Sequence, residues 1–302
     1  MKDLQAEIQL LKQKRKAIIL AHNYQLDEVQ EIADFVGDSF YLSKVATGIE
    51  CEVIIFCGVK FMAETAKILA PDKVVLLPEN DAGCPMADMI TEEDLRKLKN
   101  AYPGAPVICY INSSAAVKAE SDVCCTSSNA VKVVSSLPDR QVIFVPDKNL
   151  GTYVSQRLPA KEMVLWPGHC VTHAQIKVSD VEAVRARHPQ AQILVHPECD
   201  PSVVALADFA GSTSEIINYA ERSAAKAFII GTEMGVLHKL KALRPDSQFL
   251  LLHPGLVCPN MKKTRLRSVY EALRNSQHEI TVDEDLARRA RTALGRMLEM
   301  AK

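Results

Sequence analysis

Nine cysteines are spread through the 302-residue sequence, and three of them share a setting that suits metal chemistry. Cys84, Cys170 and Cys258 each follow an apolar run and a turn containing Gly or Pro, in KVVLLPENDAGC, EMVLWPGHC and QFLLLHPGLVC, and the intervals between them are 86 and 88 residues. Thiolates favour zinc and iron-sulfur clusters, and three arriving from separate loops supply three corners of a tetrahedral or cubane site. A cubane held by three cysteines leaves one iron free to act as a Lewis acid on substrate oxygen or nitrogen, which is catalysis without net electron transfer. Zinc is the rival, because His169 and His173 flank Cys170 in GHCVTH and can complete a three-cysteine, one-histidine set. Structural zinc usually draws on close ligand pairs, whereas these ligands suit a site that joins domains. Cys57 and Cys109 lie inside apolar strand-like runs and read as core, the usual fate of a free thiol. Cys51, Cys124, Cys125 and Cys199 are not expected to be ligands either.

Polar side chains recur with a similar period. KAIIL leads into His22 and Tyr24, APVIC into Tyr110 and Asn112, and AQILV into His196 and Glu198; the first members are 88 and 86 residues apart. These groups donate hydrogen bonds, accept protons, or do both. Glu198 is the only carboxylate among them and the natural general base, and enclosure in a cavity predicts a pKa raised toward neutrality. His22 and His196 suit donation to substrate anions or proton shuttling, although a histidine met singly is more often a satisfied structural group. A third series, Ser39, Ser127 and Thr213 with Ser212 beside it, opens helix-like stretches. Such hydroxyls are ordinary N-caps, and a helix start with free amides also binds carboxylate or phosphate. Lys60, Lys148 and Arg265 either add positive charge or sit solvated at the surface. No P-loop or dinucleotide fingerprint occurs.

Three landmark series with nearly one period demand a triplicated scaffold. Within each unit the runs alternate strand and helix three times, with EVIIFCG, RQVIFVP and AAKAFIIG as middle strands. LDEVQEIADFVG reads as a helix ending at Gly37. The expected fold is α/β: three similar three-layer αβα domains, each with a short parallel sheet, arranged with pseudo-threefold symmetry around a central active site. The boundaries fall at 1–104, 105–191 and 192–302, the first including an N-terminal helix and the last a C-terminal one. Ligands of such sheets bind beyond the carboxyl ends of the strands, where all three series lie. With 48% hydrophobic and 24% charged residues the chain can bury cores of this kind. A net charge of -1 implies no surface dominated by nucleic acid or anionic lipid, so small molecules are the expected partners. No signal peptide is visible, and no uncharged apolar run approaches the roughly 20 residues of a membrane span. An odd number of cysteines argues for reduced thiols, and the expected location is the cytoplasm.

The same residues carry a family resemblance. AHNYQ at 21–25, GDS at 37–39, FCGVKFMAETAK at 56–67, YINSSAAVKAESD at 110–122, CTSSNA at 125–130, PGHC at 167–170, HPEC at 196–199, GSTSEI at 211–216, GTEMG at 231–235 and CPNMKKT at 258–264 resemble the quinolinate synthase family over essentially the whole chain. The resemblance implies a [4Fe-4S] cluster on Cys84, Cys170 and Cys258, and condensation of iminoaspartate with dihydroxyacetone phosphate to quinolinate, water and phosphate. It further implies that Glu198, Tyr24, His196 and His22 handle protons and touch substrate. Ser39, Tyr110, Asn112, Ser127, Ser212 and Thr213 would hold its carboxylates or phosphate. A functional link to an aspartate oxidase or dehydrogenase, as source of iminoaspartate, is implied as well. Some members carry an additional cysteine motif near the C-terminus, which RARTALGRMLEMAK lacks. Two other classes fit parts of the pattern: an iron-sulfur hydro-lyase, needing one substrate, and a metal-stabilised structural or electron-carrying protein, needing no polar ring.

Overall fold

A computed structural model describes residues 2–301. Its twelve strands form three parallel sheets. The first unit holds β1 (Ala17–His22), β2 (Phe35–Gly37), β3 (Val53–Cys57) and β4 (Val74–Leu76). The second holds β5 (Val107–Tyr110), β6 (Val123–Cys125), β7 (Gln141–Val145) and β8 (Glu162–Leu165), and the third β9 (Gln192–Val195), β10 (Phe209–Ala210), β11 (Ala227–Gly231) and β12 (Gln248–Leu251). All three share one order: the second strand at an edge, then the first, third and fourth. The expected α/β class and the three similar units are therefore present.

Burial on both faces explains the near-continuous apolar runs. Successive side chains point to opposite faces of a sheet. Thus Ile19, Ala21 and Ile55 face the helices Lys2–Lys14 and Leu266–Asn275, whereas Leu20, Ile54 and Phe56 join the larger core on the other face. In the third unit Ile193, Val195 and Ile229 separate in the same way from Leu194, Phe228 and Ile230. Cys57, Cys109, Cys124, Cys125 and Cys199 are fully buried within these cores.

The structure corrects one element. The helix read across residues 26–37 stops at Ile32, and Phe35–Gly37 is an edge strand paired with β1. Asp34 makes the break: its backbone N–H donates to the Ile19 carbonyl at 2.9 Å, and its Oδ2 accepts from the Ile19 N–H at 2.7 Å. A side chain that bonds backbone in this way competes with helix. Asp122 bonds Val107 and Asp208 bonds Ile193 in the same manner, each ahead of a short edge strand. Both ends of the chain form helices, as expected. Leu266–Asn275 packs on Lys2–Lys14 and β3, and Glu284–Met300 packs on the helix Ala115–Ala119 and β6, so the end of the 192–302 segment returns to the first two units. Among the described residues, no helix is long and apolar enough to cross a membrane.

Candidate functional site

Beyond the carboxyl end of each sheet, one backbone bond fixes the loops. Lys60 N–H donates to the Ala82 carbonyl, Lys148 N–H to Gly168 and Met234 N–H to Leu256, each at 2.8 Å. Each tie joins the loop after a middle strand to a position two residues before a cysteine, so Cys84, Cys170 and Cys258 receive equivalent placements. All three line one cavity, formed where the three units meet.

The chemistry of these thiols suits a bound cationic group. Burial pushes the Cys84 thiol up to about 12, with the Cys258 charge adding to the rise. Burial also raises Cys170, with Glu198 and Cys84 adding, and it raises Cys258. Alone, the three are neutral thiols; a bound metal reverses the balance and releases their protons.

The polar ring lies on the same cavity: His22, Tyr24, Ser39, Tyr110, Asn112, Ser127, His196, Glu198 and Thr213. Two local turns set the histidine tautomers. His22 Nδ1 accepts from the Tyr24 backbone N–H at 3.1 Å, and His196 Nδ1 accepts from the Glu198 N–H at 3.2 Å. Nδ1 is thereby an acceptor, and Nε2 carries the proton; in His196 it lies 3.2 Å from Ser127 Oγ. Both rings are neutral, since burial together with the Lys262 ammonium lowers His22 to about 3, and burial lowers His196 to about 4.

Tyr24 and Glu198 are joined through groups that the sequence did not single out for this role. Tyr24 Oη lies 2.8 Å from Thr213 Oγ1 and 2.7 Å from Thr232 Oγ1. Thr232 Oγ1 is 2.9 Å from His173 Nε2, and His173 Nδ1 is 2.8 Å from Glu198 Oε2 and 3.2 Å from Cys170 Sγ. Tyr110 closes the chain, its hydroxyl donating to Glu198 Oε1 at 2.6 Å. Burial raises the Tyr24 and Tyr110 phenols well above their ordinary value, so both remain protonated donors. The expectation of a raised Glu198 pKa is corrected. Burial alone would raise it, but His196, His173 and the bonds from His173 and Tyr110 outweigh burial and hold the carboxyl below its usual range.

Other expected residues lie elsewhere. Lys60, Lys148, Arg265 and His169 are exposed and do not line the cavity. Ser212 is buried outside it and caps the helix Thr213–Arg222: its Oγ accepts from the Glu215 N–H, while Glu215 Oε2 accepts from the Ser212 N–H at 2.7 Å. The matching cap in the first unit is Asp38, not Ser39, which leaves the Ser39 hydroxyl to the cavity. Ser212→Ala is accordingly expected to lower stability by about 1 kcal/mol, the usual worth of an N-cap. A thermal melt reads this change, and substrate KM should stay at the wild-type value. Cavity residues overlooked in the sequence include His173, considered there only as a zinc ligand, together with Asp38, Thr126 and Glu233. Glu233 sits 86 residues after Asp147, which itself sits 88 after Val59, so the repeat could have flagged the position although the first unit carries no carboxylate there.

A family model described as quinolinate synthetase A protein matches residues 6–299. The chain is 59% identical to the quinolinate synthase of Caldicellulosiruptor bescii over 297 residues, covering 98% of each protein. It is 58% identical to that of Alkaliphilus metalliredigens, covering 97% of each. To that of Geobacter metallireducens it is 54% identical, covering 99% of this chain and 98% of the relative.

Proposed function

Because the chain belongs to the quinolinate synthetase A protein family, we propose that it condenses iminoaspartate with dihydroxyacetone phosphate to quinolinate, water and phosphate, a step of NAD biosynthesis, using a [4Fe-4S] cluster held by Cys84, Cys170 and Cys258. The observation that carries this reading is the meeting of one cysteine from each unit with the polar ring on a single cavity. When bound, such a cluster supplies a Lewis-acidic iron with a coordination position open to substrate oxygen or nitrogen.

This chain's own residues bind and move protons. Ser39, Ser127 and Thr213, placed at or before helix starts, suit the carboxylates and phosphate of the substrates. The neutral His22 and His196 rings offer Nε2–H to anionic oxygens. Asn112 Oδ1 is buried without a hydrogen-bond partner, and the imine or a hydroxyl of the substrates would satisfy it. Glu198 is ionised and positioned to take a proton on a carboxylate oxygen, while Tyr24 Oη gives one. The Thr232–His173 link can pass a proton between them. The reaction takes place in the cytoplasm, with iminoaspartate supplied by an aspartate oxidase or dehydrogenase.

One observation favours a second reading. The ligand atoms of Cys170, His173 and Glu198 lie within 4.8 Å of one another, a grouping that suits a single divalent ion such as zinc. Anaerobic reconstitution with iron and sulfide, followed by a quinolinate assay, decides between these readings. Brown protein that makes quinolinate only with both substrates supports the condensation. Turnover of one substrate alone points to a hydro-lyase, and colourless protein holding stoichiometric zinc points to the mononuclear site.

A further inference from the structure

An ion pair that the sequence did not single out joins the loop carrying Cys258 to the Tyr24 turn. Glu233 is 1% exposed. Its Oε1 accepts from the Cys258 backbone N–H at 3.0 Å, and its Oε2 from the Gly235 N–H at 2.7 Å. Lys262, one turn beyond Cys258, donates to both Glu233 oxygens, at 2.9 and 3.0 Å, and to the Tyr24 carbonyl at 2.5 Å. The loop and the turn also touch directly. A Cβ on Gly235 would meet the Asn23 carbonyl and the Tyr24 backbone at 2.7 Å, so only glycine allows this approach. Gln30 Nε2 adds bonds to the carbonyls of Asn23, Gln25 and Gly235.

The repeat makes the arrangement specific. The residues equivalent to Glu233 are Asp147 in the second unit and Val59 in the first. Asp147 caps the helix Lys148–Arg157 through Oδ1, and its Oδ2 lacks a hydrogen-bond partner. The Val59 side chain offers no polar atom. Only the third unit therefore pairs this carboxylate with a cation, and that cation reaches the first unit. Asp147 also has a cysteine amide beside it, that of Cys170, so the cation is what the third unit adds.

We propose that Glu233 and Lys262 are positioning residues that strap Cys258 to Tyr24, setting the cluster ligand and the proton-carrying phenol as one unit. This rests on the reading of Cys258 as a cluster ligand. Groups that orient a metal ligand typically change metal affinity or activity 10–100-fold when lost. Wild type, Glu233→Gln, Lys262→Met and the double variant would be reconstituted anaerobically, and iron transfer to a ferrous chelator timed. The strap predicts roughly 10–100-fold faster iron loss in each single variant. The double variant should be no faster than the worse single, because both residues act through one connection. It also leaves no unpaired buried charge, and so keeps the test available if a single variant does not fold.

Val269→Ala, a cavity in the core of the helix Leu266–Asn275, serves as a destabilised control and should lose iron at the wild-type rate. The electron paramagnetic resonance line shape of the reduced cluster should change in Glu233→Gln and not in Val269→Ala. Folded Glu233→Gln with wild-type iron loss and line shape overturns the strap while leaving the cluster reading intact. Fully multiplicative single and double effects also overturn it. Wild-type protein that takes up no iron and sulfide overturns the cluster reading, and the strap with it.

Discussion

Cys170→Ser is expected to strip the cluster and bring quinolinate formation to background, a fall well beyond the roughly 100-fold that follows loss of an outer-shell partner. Serine keeps the size of the side chain and removes the soft thiolate that iron requires. Cys170 is only partly buried, and its sulfur makes one side-chain hydrogen bond, with His173 Nδ1, so the variant should melt near metal-free wild type. Cys57→Ser is the informative contrast. Its thiol lies fully buried in the core behind the first sheet and away from the cavity, and the substitution should lower stability while leaving iron and sulfide content unchanged. Equal cluster loss in both variants would contradict the division between ligand and core cysteines.

Glu198→Gln should retain the cluster and lose about 10²- to 10⁴-fold in kcat, the range associated with removing a general acid or base. The carboxylate accepts from Tyr110 on one oxygen and His173 on the other. Glutamine can preserve only one of those acceptances, because its amide nitrogen is a donor, and it carries no charge to receive a proton. Iron content measured beside steady-state kinetics separates a lost base from a lost cluster. Wild-type kcat in a cluster-loaded Glu198→Gln protein would remove Glu198 from the proton-transfer role.

Much of the architecture was legible because buried parallel strands must be apolar and because the three landmark series kept one period. The edge strands were harder. Phe35–Gly37 is three residues long and continues a helical apolar pattern, so periodicity alone could not separate it from the preceding helix. Its signal was Asp34, which recurs as Asp122 and Asp208 at intervals of 88 and 86 residues. Repeat position also gathered the cysteines and ring residues that the cavity brings together. Ser212 shows where position was not enough: adjacent to Thr213, it turns its hydroxyl to helix capping. The direction of the Glu198 shift depends on His196 and on His173, and the latter arrives from another unit through a short helical turn, a contact that sequence spacing does not register. The repeat could have flagged Glu233, but not its pairing with Lys262, because that cation also reaches the Tyr24 carbonyl, far away along the chain.

If the triplicated fold delivers three distant thiolates to one cluster, loss of any one of them should cost the whole cluster. Iron, sulfide and zinc are to be measured in anaerobically reconstituted wild type beside Cys84→Ser, Cys170→Ser and Cys258→Ser. Wild type should hold about four iron and four sulfide per chain, and all three variants should lose both. A full cluster surviving any one of these substitutions, or stoichiometric zinc without sulfide in the wild type, would contradict it.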